Sequence, residues 1–124
     1  MGMEAAMKTL LAAMLAVLVT GGFASAEEFG CNRGALNKAE RSRHEALSQA
    51  LLASVQEHRE LADGYAFRFP AETLVPAAEW VSLERKCCPF FTFVLEQARD
   101  QGPLWVRLTG SEGVKVFIKE EFGF

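Results

Sequence analysis

Apolar residues recur at two different periods along this chain, and the switches between them mark out its elements. His44, Leu47, Leu51 and Val55, reaching on to His58, are spaced by three or four residues, as on one face of an α-helix. Asn37 is a good N-cap for that helix, and Glu40 completes a capping-box pair. Arg41, Arg43, Glu45, Gln49 and Glu57 fall mostly away from the apolar stripe. The period then drops to two. Tyr65, Phe67 and Phe69 alternate after Asp63-Gly64, a strong turn signal, so the spacing predicts a hairpin with Glu57 to Leu61 as the partner strand. That partner competes with the end of the first helix for the same residues, and Pro70 closes the second strand.

A second helix is predicted from about Pro76 to Cys88, because Pro is comfortable in a first helical turn. Leu74, Ala78, Val81 and Cys88 can share one face of it, with Ala77 and Trp80 alongside. Pro89 cannot continue the helix and pushes Cys88 toward an extended backbone, so the pair Cys87-Cys88 marks a corner between helix and strand. Phe91, Phe93 and Leu95 alternate next, then a turn spans Arg99 to Pro103, and Leu104 to Thr109 alternates again as a second hairpin. Ser111 is placed to cap a last helix whose apolar face is Val114, Phe117 and Ile118. The order α-β-β-α-β-β-α predicts an α+β fold: one antiparallel sheet of about four strands with helices on one face.

The N-terminal part reads differently. Lys8 precedes the apolar run Thr9 to Val19, followed by Gly21-Gly22 and the Ala-x-Ala site Ala24-Ser25-Ala26. This is the layout of a secretory signal peptide over residues 1–26, with Met3 and Met7 as alternative starts. A retained anchor is the rival, but the run falls well short of the about 20 apolar residues a spanning helix needs. A lipid-modified Cys31 fits poorly, since Glu28-Phe29-Gly30 is not a lipobox. Removal of residues 1–26 leaves a single domain over 27–124 with no stable membrane span, in the periplasm or secreted.

With 124 residues, the chain has room for one domain and not comfortably two. Its charge is mixed, with a formal net of -3 and no basic stripe, which argues against a nucleic-acid partner. Composition leaves the oligomeric state open. No phosphate-binding loop is present, because Gly110 and Gly113 frame a helix start without the required pattern.

Two stretches carry a resemblance. They are Glu79-Trp80-Val81-x-Leu83-Glu84-Arg85-x-Cys87-Cys88-Pro89-Phe90-Phe91 and Leu104-Trp105-Val106-Arg107-Leu108-Thr109-Gly110-x-Glu112-Gly113-Val114-Lys115. Together with Asp63 to Arg68 and a lone cysteine ahead of the first helix, they resemble a group of small uncharacterised bacterial proteins. These carry an N-terminal Cys, an ER-x-CCPF motif and an LWxRLTGxEGVK motif. The resemblance lends no activity. It implies that one distant cysteine plus Cys-Cys-Pro-Phe belongs to the family's design. Members of the group lack an export signal, and this chain departs from them there.

The chain has three cysteines, and they are its main candidate chemistry. Cys31, Cys87 and Cys88, with His44 as a fourth ligand, suit a soft metal ion such as Zn(II), Cu(I) or Hg(II), because thiolates select thiophilic ions. The spacing matches no established metal motif. A disulfide from Cys31 to Cys87 or to Cys88 is the structural alternative, worth about 4 kcal/mol in the chain-entropy model. It would leave one unpaired thiol, able to meet a thiol-containing partner. A bridge between the adjacent cysteines would be strained. Thiol redox chemistry is a third reading, opposed by the position of Cys87 and Cys88 at a helix C-terminus, where the dipole disfavours thiolate. No other catalytic residue emerges. His44 on an apolar face is more often a hydrogen-bonded core residue than a ligand, and Glu79, Glu84 and Arg85 suit either a polar cluster beside the thiols or ordinary helix-surface pairs. Trp105, expected on the outer sheet face, is a candidate interaction surface.

Overall fold

The computed structural model describes residues 29–124; the expected signal peptide and its cleavage point lie outside the described residues. Helix α1 covers Lys38–Ser54. Its capping box is closed from both sides: the Glu40 amide donates to Asn37 Oδ1 at 2.8 Å and the Asn37 amide to Glu40 Oε1 at 3.0 Å. The helix stops at Ser54 because Val55 turns extended, so His58 belongs to the next strand and not to the helical stripe.

Strands β1 (Glu57–Leu61) and β2 (Gly64–Phe69) form the first hairpin, paired from Glu57↔Arg68 to Leu61↔Gly64. The two turn residues are therefore Ala62 and Asp63. Gly64 is already in β2, and its lack of a side chain serves a different purpose: a Cβ there would lie 1.9 Å from the Leu108 carbonyl oxygen of β4. A short 3₁₀ turn, Ala71–Thr73, leads into helix α2, Leu74–Cys87, which starts two residues ahead of Pro76. Strands β3 (Thr92–Gln97) and β4 (Leu104–Thr109) make the second hairpin, and helix α3 (Val114–Phe122) ends the fold. Ser111 does not cap α3. The N-cap is Gly113 at φ 93°, a left-handed position open to glycine, where the Phe29 ring would meet a Cβ at 3.0 Å.

The sheet is antiparallel with strand order β1-β2-β4-β3, so the last strand to be made inserts beside β2. The expected α-β-β-α-β-β-α arrangement with one sheet is what the protein adopts. Its covered face carries Tyr65, Phe67 and Phe69 of β2 in register with Leu108, Val106 and Leu104 of β4. Leu104 and Ile118 are fully enclosed. Burying such side chains is worth about 1.5–3 kcal/mol each. This layer of α1, α2 and α3 against sheet forms the core.

The buried face of α2 is Ala77, Trp80, Leu83, Glu84 and Cys87. The stripe through Leu74, Ala78 and Val81 is not the core face; Leu74 and Ala78 are exposed. The larger apolar area of Trp80 and Leu83 decides which side turns inward. On the opposite sheet face Arg59 lies over Trp105, its guanidinium carbon 4.5 Å from the ring centroid. Among the described residues no helix is long and apolar enough to cross a membrane.

Candidate functional site: a buried sulfur and carboxylate cluster

Three elements converge where α2 ends. The first is the segment ahead of α1. Its Asn32 amide donates to the Cys87 carbonyl at 2.8 Å, and the Phe29 ring packs edge-on against Phe90 with centroids 5.2 Å apart. The second is the C-terminus of α2, where Cys87 is the last helical residue and Cys88 the cap. The Cys88 amide still donates to the Glu84 carbonyl at 2.7 Å, but its φ of -124° and ψ of 68° leave the helix, as the following Pro89 requires. That break lets two adjacent cysteines turn toward one region. The third element is α1, which lies along α2 and brings His44 to Glu84.

Cys31 and Cys88 stand at disulfide-bonding distance, with Cα atoms 4.9 Å apart, across 57 residues of sequence. Cys87 is the free thiol. Its sulfur is 4.0 Å from that of Cys88, 3.8 Å from Glu84 Oε2 and 3.4 Å from the Glu84 carbonyl oxygen, either of which can accept from the S–H. One donor atom each from Cys31, Glu84, Cys87 and Cys88 fall within 4.8 Å of one another. His44 Nε2 is hydrogen-bonded to Glu84 Oε2, and its ring stacks on Trp80 at 6.3 Å. Trp80 Nε1 in turn donates to Ser48 Oγ at 2.9 Å.

Burial dominates the electrostatics. Glu84 is 5% exposed, and loss of water raises its carboxyl above the usual carboxylate range; the contact with His44 pulls the other way. The Cys87 thiol, 1% exposed, is pushed up to about 11, first by burial and then by the nearby Glu84 charge, with Arg33 pulling weakly back. Cys87 is therefore a protonated thiol at neutral pH. A shallow cleft of about 210 Å³ reaches the cluster, lined by Cys31, His44, Trp80, Glu84 and Cys87 among others.

The sequence-predicted residues thus fall into two sets. Cys31, Cys87 and Cys88 come together, and His44 sits behind them, touching the cluster through Glu84. His58 is elsewhere, on β1 against Phe124 with ring centroids 4.3 Å apart. Glu79 makes a surface pair with Arg43, and Arg85 is exposed. Of the three polar residues proposed beside the thiols, Glu84 is the one that joins them. Its signal is positional: it lies four residues after Trp80 and three before Cys87, on the buried stripe of α2. The bridge occupies two of the three sulfurs, so in this form Cys87 and Glu84 alone have donor capacity to spare. Comparison with family models, with curated proteins and with solved structures gave no match.

Proposed function

We propose that the reduced form of this protein binds one thiophilic metal ion through Cys31, Cys87 and Cys88, with Glu84 as fourth donor. The observation that carries this reading is the convergence of four donor atoms within 4.8 Å. A tetrahedral zinc with bonds of about 2.3 Å to sulfur sets its ligands about 3.8 Å apart. The 4.0 Å between Cys87 and Cys88 sulfurs and the 3.8 Å from Cys87 to Glu84 Oε2 are already close to that, whereas the Cys31 and Cys88 sulfurs, bonded to each other here, must move apart once the bridge is reduced. Three thiolates favour Zn(II), Cu(I) or Hg(II) over hard cations. His44 acts in this reading by orienting Glu84 from behind, as groups hydrogen-bonded to metal ligands commonly do. Metal uptake must displace thiol protons, so it grows stronger as pH rises.

In an exported protein, periplasmic or secreted, the bridge is the default state, and binding needs prior reduction by a thiol. The Cys31–Cys88 bridge itself favours a second reading: a module whose N-terminal segment is fastened to the core, with no metal role.

The two are separated by reducing the protein, removing metal, and titrating Zn(II) and Hg(II) against a competing chelator, with native mass spectrometry as readout. One ion per chain, with all three thiols protected from alkylation and loss of binding in Cys87→Ser, supports the metal site. A reduced protein that stays folded by circular dichroism yet takes up no ion removes that reading and leaves the fastened module.

A further inference from the structure

The sulfurs of the bridge are not equally reachable. Cys88 is 0% exposed, whereas Cys31 is partly exposed and lines the cleft. Exchange with another thiol proceeds by attack on one sulfur of the disulfide and departure of the other. We propose that Cys31 is the exchange sulfur of this protein, at which a thiol of a second molecule adds while Cys88 leaves and stays enclosed. The substrate class is thus a thiol, and for complete turnover a dithiol.

In the first step the incoming thiol gives up its proton, its sulfur bonds to Cys31, the Cys31–Cys88 bond breaks, and Cys88 takes up a proton. The products are a mixed disulfide on Cys31 and a free Cys88 thiol. In the second step the other thiol of a dithiol partner attacks the partner's own sulfur in the mixed disulfide. The partner leaves as a disulfide and Cys31 is released as a thiol. Two electrons and two protons pass from the partner to the Cys31–Cys88 pair, and nothing else is consumed.

Two features keep the intermediate in place. Cys31 does not drift away once the bridge opens, because the adjoining Asn32 amide is bonded to the Cys87 carbonyl and Phe29 is packed on Phe90. The departed Cys88 remains in the core within reach of it, so the bridge re-forms readily when the partner is a single thiol. This inference concerns the same sulfurs as the metal reading but stands on the bridge alone.

The test uses Cys87→Ser protein in its bridged form, treated with glutathione, quenched in acid and mapped by peptide mass. Because Cys87 is needed for the metal site and not for exchange, failure of one proposal leaves the other measurable. The expected result is glutathione on Cys31 and a free thiol on Cys88, with adducts on Cys88 at least about tenfold rarer. Glutathione on Cys88, or split evenly, overturns the assignment. If bridge re-formation keeps the adduct from accumulating, the double variants decide. With glutathione disulfide, Cys31 in Cys87→Ser/Cys88→Ser should react at least about tenfold faster than Cys88 in Cys31→Ser/Cys87→Ser, and the difference should vanish in urea. Equal native rates sink the proposal.

Discussion

His44 Nε2 and the Glu84 carboxylate are hydrogen-bonded to each other across the interface of α1 and α2, 40 residues apart in sequence. The pair joins the polar interior to the sulfur cluster, since the same carboxylate oxygen lies 3.8 Å from Cys87. Removing one partner of a buried pair leaves the other without compensation. We therefore expect His44→Ala to cost about 2–4 kcal/mol in urea unfolding at neutral pH. His44→Gln, which keeps a donor, should recover part of that loss. An alanine variant as stable as the wild type would show that Glu84 is satisfied without His44.

The pH dependence follows from the direction of the Glu84 shift. A carboxyl raised in the folded state holds its proton more tightly there than in the unfolded chain. Its contribution is complete below the unfolded value, about 4.3, and is lost as pH rises through the folded value. Glu84→Gln removes this term. The stability of the variant relative to wild type should therefore increase from acid toward neutral pH, measured as urea midpoints across that range. A constant difference would contradict the raised carboxyl.

Cys87 makes an alkylation prediction. With its thiol pushed up to about 11, only about one part in ten thousand is thiolate at neutral pH. Unreduced native protein should take up no iodoacetamide, and urea-unfolded protein should take up one equivalent. Three equivalents without reductant would mean that no bridge forms. The same shift makes the protein weaker in alkali: the Cys87 contribution is full below the unfolded thiol value, about 8.5, and is lost as pH rises toward about 11. Cys87→Ala should flatten that alkaline decline.

Reducing the bridge should lower unfolding stability by about 4 kcal/mol, the chain-entropy value for a loop of this size. Chemical denaturation with and without a phosphine reductant measures it. A loss below about 1 kcal/mol would assign little fastening to Cys31–Cys88.

Backbone constraints give opposite outcomes at two positions. At the second hairpin Asp100 and Gln101 both take positive φ, 59° and 56°, where side chains are disfavoured. Gln101→Gly should stabilise by up to about 1 kcal/mol. Gly64→Ala should destabilise by more than about 3 kcal/mol, because its Cβ would run into the Leu108 carbonyl. Thermal unfolding of both variants decides.

Much of the fold is written in local signals. The capping box at Asn37 and Glu40, the alternation of Tyr65, Phe67 and Phe69, and the Cys88-Pro89 corner each depend on neighbours a few residues away, and each forms as the spacing predicts. Features set by distant contacts were less legible. The inward face of α2 is chosen by what Trp80 and Leu83 meet across the core. Gly64 looks like a turn glycine and is in fact a close-approach glycine, a distinction visible only once β4 lies beside β2. At the site, the three cysteines are evident from residue type, and their convergence from the chain order. Glu84 is legible only as one of two alternatives, a polar group beside the thiols or a helix-surface acid, and its burial against a partner on α1 decides between them.

The bridge and the strand order together divide the protein unevenly. The bond between Cys31 and Cys88 closes a covalent ring that contains α1, β1, β2 and α2, while β3, β4 and α3 hang outside it as a tail. Yet β4 lies between β2 and β3 in the sheet. A chain ending soon after Cys88 could close its ring and still present β2 as a bare, hydrophobic edge, ready to pair with a neighbouring molecule. The tail is thus the plug of the sheet, and the oxidised ring without it is a template for aggregation.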